Sequence, residues 1–95
     1  MMAVKHAVIR EYLMKWFPRY VIEEADDRGR ELWQFKALLE RESLIVAFSY
    51  EFIDDSTPED VQTALEDRQI ARTMRENPTM RVVVKYRSTE LEPRE

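Results

Sequence analysis

The sequence predicts an α+β two-layer sandwich of order α-β-β-β-α-β, and three observations carry that prediction. Apolar residues follow a helical spacing up to Pro18 and a spacing of two across residues 19–53. Two short polar turns cut that second region into three strands. Thr57 followed by Pro58, Glu59 and Asp60 then opens a second helix, and a last alternating segment follows it.

The first helix is read from Val8, Ile9, Tyr12, Leu13, Trp16 and Phe17, which fall on one broad face, with Arg10, Glu11, Met14 and Lys15 toward the other. Pro18 ends it, because the residue before proline is pushed out of the α region. Arg19 to Ala25 is the first strand. It turns through Asp26, Asp27, Arg28 and Gly29, where the single glycine is expected to supply the positive φ of a hairpin. Glu31 to Leu39 alternates Trp33, Phe35, Ala37 and Leu39 against Leu32, Gln34, Lys36 and Leu38. A turn at Glu40–Glu42 leads to Ser43–Ile53, the longest and most apolar strand, which is placed centrally in the sheet.

The second helix starts at Pro58, with acids over its positive end, and stops at Asn77 and Pro78. Within it Val61, Ala64 and Leu65 share a face, whereas Ile70 and Met74 lie roughly opposite. Either the helix breaks near Asp67 or it has two apolar faces. Met80 to Arg87 is the fourth strand, with Val82, Val84 and Tyr86 inward and Arg81, Val83, Lys85 and Arg87 outward. The domain is expected to span residues 1–88, with residues 89–95 a flexible tail.

Three strands joined by short turns form an antiparallel meander, and a helical crossover brings in the fourth, so both helices cover one sheet face. The other face, with Leu32, Gln34, Lys36, Leu38, Ile45, Ala47, Ser49, Val83, Lys85 and Arg87, is left uncovered.

At 95 residues, 44% of them hydrophobic, the chain suits one self-sufficient core. It has no cysteine, which removes disulfides, thiolate metal sites and thiol nucleophiles. No signal-peptide pattern or span of about 20 apolar residues is present, so a cytoplasmic protein is expected. The net charge of −4, from 19 acids and 15 bases, argues against general nucleic-acid affinity. Charged residues make up 36% of the chain while glycine and asparagine occur once each, a balance compatible with a heat-stable source.

Little in the chain carries a chemical motif. His6, the lone histidine, reads as a solvent-edge residue. The acidic clusters at residues 23–27 and at Asp54, Asp55, Glu59 and Asp60 lack the spacing of a calcium loop, and turns and helix starts favour the same residues. One glycine cannot build a phosphate-cradling loop. No nucleophile with its base and no metal set can be named, so neither an enzyme nor a cofactor is expected.

The element order resembles the core of the PD-(D/E)XK nucleases, and Gln34, Phe35 and Lys36 resemble a degenerate form of their carboxylate-x-lysine element. Here glutamine replaces the carboxylate, the triplet is on the second strand and no Pro-Asp precedes it. The first five elements also resemble a double-stranded RNA-binding domain. That likeness implies phosphate-binding lysines where Glu59 and Asp60 stand, which would repel the backbone instead.

The expected function is a non-catalytic interaction module acting as a homodimer, since uncovered apolar patches mark association sites. Its interface is assigned to Leu38, Ile45, Ile70 and Met74. The alternative is an anion- or nucleic-acid-binding regulatory domain using Gln34, Lys36, Arg81, Lys85 and Arg87 as a basic stripe on the open face. The same charges on an edge strand are read first as protecting the sheet from edge-to-edge aggregation.

Overall fold

A computed structural model describes residues 2–94 and contains nine elements: α1 (Met2–Trp16), β1 (Val21–Asp27), β2 (Leu32–Leu39), β3 (Glu42–Ser49), α2 (Tyr50–Asp55), α3 (Pro58–Asp67), α4 (Ile70–Glu76), β4 (Met80–Val84) and β5 (Thr89–Pro93). The sheet runs β1-β2-β3-β4-β5 in space. All neighbours are antiparallel except β3 and β4, which are parallel and joined through the three later helices. The predicted two-layer α+β arrangement is the one observed, with a fifth strand added.

The register explains the core. Trp33 pairs with Phe48 and Phe35 with Val46, while Val46 also faces Val82, so one sheet face carries a continuous row of large apolar groups. Ile9, Leu13 and Phe17 of α1, Val61 and Leu65 of α3, and Ile70 and Met74 of α4 close over it. Each large side chain sealed this way contributes roughly 1.5–3 kcal/mol relative to its exposed state.

The second helix expected from Pro58 to Asn77 is two helices, α3 and α4, and a further short helix, α2, precedes them where the third strand was expected to end. Ser49 ends β3 because its hydroxyl caps α2, accepting from the Phe52 N–H at 3.1 Å. The strand expected to reach Ile53 therefore turns helical at Tyr50, and Phe52 and Ile53 enter the core from a helix. Thr57 and Asp60 form a reciprocal capping box at the start of α3, each bond 3.1 Å, with Pro58 in the first turn as predicted. The break near Asp67 falls at Gln69, whose left-handed backbone (φ 50, ψ 52) redirects the chain. Redirection rotates Ile70 and Met74 into the same core as Val61 and Leu65, so the helix has no second apolar face.

Two further corrections concern turns and ends. The positive φ of the β1–β2 hairpin belongs to Glu31 (φ 56), and Gly29 has no positive φ. Residues 89–93, expected to be a loose tail, form β5, paired from Thr89 with Val84 to Pro93 with Met80; Glu95 lies outside the described residues. Two arginines secure this strand. Arg68 donates to the carbonyls of Lys85, Tyr86 and Ser88 in the β4–β5 turn, at 2.7, 2.8 and 3.2 Å. Arg94 donates to the Ser43 hydroxyl and carbonyl and to the Pro78 carbonyl. Because β4 ends at Val84, Tyr86 is exposed in the turn and does not point inward. Among the described residues no helix is long and apolar enough to cross a membrane.

Candidate functional site

The residues assigned from sequence to an interface separate into two groups. Ile70 and Met74 are 0% and 1% exposed and belong to the core, for the reason given by the turn at Gln69. Leu38 and Ile45 remain half-buried on the outer sheet face.

The basic stripe also changes character. Arg81 is only 7% exposed. It reaches across β3 to Gln34 on β2 at 3.1 Å, and it meets Glu92 on β5 at 2.9 Å. Arg30, from the β1–β2 turn, holds the same Glu92 oxygen at 2.7 Å, and Asp27 stands 3.9 Å from Arg81. The network thus ties the first hairpin to the last strand across the outer face, and Leu32, Ala47 and Val83 form a small second core there. Burial alone would push the Glu92 carboxyl up, but hydrogen bonds from Arg81 and Arg30 outweigh it and hold the group below the usual range. Lys85 pairs with Glu90 at 3.0 Å, and the Arg87 guanidinium lies over the Tyr86 ring. Arg81 and Lys85 of the expected stripe are thus each paired with a carboxylate on β5.

A groove of about 670 Å³ lies on the helical side, between the end of α1 and the α3–α4 junction. Trp16 and Tyr12 form one wall. They are four residues apart on α1 and therefore on one face, with ring centroids 6.3 Å apart. Phe17, one residue further and about 100° around the helix, is buried, so Trp16 is left 46% exposed. The opposite wall carries Gln69, Ala71, Arg72 and Arg75. Two bonds fix its shape. The Tyr12 hydroxyl accepts the Ala71 N–H at 3.1 Å, supplying the cap that Gln69 does not, and Arg75 donates to the Trp16 carbonyl while lying over the Phe17 ring. Sequence reasoning gave Trp16 to the core; its exposure is set by packing at the end of α1, which the sequence pattern does not show.

A second constellation surrounds Trp33. His6 is partly buried, its side chain 17% exposed, and its ring meets Trp33 and Phe35 in T-shaped contacts with centroids 4.7 and 5.7 Å away. Its Nδ1 lies 3.1 Å from Glu24, which Arg10 also pairs. A carboxylate only accepts, so Nδ1 carries the proton, and the buried Nε2 has no partner.

Burial first, then the Arg10 charge, lower the His6 pKa against an opposing pull from Asp26. The unfolded chain consequently binds more protons between the folded pKa and the ordinary value of 6.5. His6 is expected to stabilise the fold above pH 6.5 and to lose that contribution as pH falls through this window. Urea unfolding at pH 7.5 and 5.5 measures it; His6→Gln should flatten the slope, and an unchanged slope would refute the assignment.

Among the described residues no group of three His, Asp or Glu side chains is placed to hold a metal ion. Comparison with protein-family models, with curated proteins and with solved structures returned no match, so the site must be read from its own geometry.

Proposed function

We propose that the chain is a non-catalytic interaction module that forms a homodimer through the groove between α1 and the α3–α4 junction. The observation that carries this reading is Trp16, a large aromatic half-exposed at the rim of that groove. Tryptophan at the centre of a contact commonly supplies a disproportionate share of binding energy.

The charges of the groove favour a second copy of the chain as occupant. Two acids, Glu66 and Glu76, and two bases, Arg72 and Arg75, line it. A twofold contact places the same surface against itself, so a patch holding both signs can be its own complement. The chain as a whole carries −4, which repels a second copy elsewhere on the surface. The groove is a place where that repulsion is locally neutralised.

The expected molar mass in solution is twice 11.5 kDa, measured by sedimentation equilibrium or light scattering. Trp16→Ala is expected to loosen the dimer by about 30-fold or more, the scale of a hot-spot residue, without a large change in thermal stability. A wild-type chain that stays monomeric at high concentration would overturn the reading.

A further inference from the structure

We propose that the corner between the β1–β2 hairpin and the start of α2 binds an organic cation, an alkylammonium group. The cavity there is about 420 Å³, lined by Trp33, Tyr50, Asp26, Asp54 and Arg28. It lies at the His6 end of α1, whereas the groove lies at the Trp16 end; ten residues of helix separate them by about 15 Å. It is thus independent of the dimer reading.

Both walls suit a cation. The Trp33 and Tyr50 rings are 5.5 Å apart and tilted by 41°, so they meet as a corner of two π faces rather than a closed stack. Such faces attract ammonium groups through their negative quadrupole. Trp33 also packs against the His6 ring in a T-shaped contact, centroids 4.7 Å apart. Tyr50 is held by its hydroxyl, which donates to Asp26.

The rim supplies the matching charge. Asp26 and Asp54 both border the cavity, and Asp54 has no ion pair among the described residues. Asp26 is met at 3.0 Å by Arg28, whose side chain is 88% exposed. Arg28 also lines the cavity, so an incoming amine competes with it for Asp26. An anionic ligand would meet two carboxylates here. A metal ion would find aromatic faces where it needs oxygen ligands.

Size agrees with the chemistry, since the cavity falls in the range of small-ligand sites, about 300–1,000 Å³. A trimethylammonium head fills the aromatic corner, and its substituent extends past Asp54 into solvent.

The test uses the full chain carrying Trp16→Phe, so that Trp33 is the remaining tryptophan, and follows its fluorescence during titration with choline. Saturable change in the millimolar range is expected. The neutral isostere 3,3-dimethylbutan-1-ol should bind about tenfold more weakly, because it lacks the charge that the π faces and carboxylates recognise. Asp54→Asn, at an exposed position, should weaken choline about two- to fivefold with the thermal midpoint unchanged. No saturation up to decimolar choline, equal response to the neutral isostere, or indifference to Asp54→Asn would each overturn the proposal.

Discussion

Replacing Met74 with alanine is expected to cost about 2–5 kcal/mol of folding stability, the range for emptying a sealed apolar site. Met74 is 1% exposed, and it belongs to the same cluster as Val61, Leu65 and Ile70 from the helices and Val82 and Val84 from the sheet. Truncation leaves a cavity between the two layers, which can collapse only by moving α4. That helix is fixed at its start by the Tyr12 bond to Ala71 and at its end by Asn77, whose amide donates to the Thr73 carbonyl at 2.9 Å. Urea denaturation should show a lower midpoint with little change in slope. Met14→Ala is the control: Met14 is 54% exposed on α1, and its loss should stay within about 0.5 kcal/mol. A Met74→Ala chain with an unmoved midpoint would contradict the core assignment.

Arg81→Ala should cost about 3 kcal/mol, the low end of what breaking a buried ion pair costs, because Arg30 still holds Glu92 after the change. What is lost is the span from Gln34 to Glu92 and the side chain that crosses over β3. Arg81→Met keeps most of the apolar stem and should recover part of the loss. Independent costs of Arg81→Ala and Glu92→Gln, adding in a double-mutant cycle, would show that the two do not act together. The network has a pH signature as well. Its Glu92 pKa is depressed, so the contribution is complete above the ordinary value of 4.5 and is lost as pH falls through the folded pKa.

Features set by neighbours in the chain were readable in the sequence. The Thr57 cap with Pro58, the stop at Pro18 and the alternation of Trp33, Phe35 and Ala37 each state their structure within a few residues. Features set by distant partners were not. β5 has no apolar alternation to announce it; it exists because its backbone pairs with β4, because Arg68 holds the turn before it, and because Arg94 at its end anchors it to Ser43 and Pro78. The end of β3 was misread since Tyr50 and Phe52 continue a strand-like alternation, and only the Ser49 cap tips the balance. The helix break was visible as a conflict of faces, yet nothing near Gln69 marks it, as no glycine or proline stands there. Resolving that conflict moved Ile70 and Met74 from a surface to the core. Of the candidate sites, the aromatic residues were conspicuous as residue types, but their partial exposure depends on packing between elements. Trp33 looked like core and lies at the edge of a cavity.

The single parallel pairing in the sheet has a consequence for how the chain reaches this state. β1, β2 and β3 are linked by short turns and can zip together locally, but Val46 meets Val82 only after three helices have been laid over the sheet. Until then β3 is the margin of a three-stranded sheet, and its segment 44–48 presents unpaired N–H and C=O groups flanked by apolar side chains. Non-local pairing is slow because loop-closure entropy is lost before contacts repay it. The interval before β4 docks is therefore when the chain is most exposed to intermolecular strand pairing, and the speed of assembling α2 to α4 sets its length.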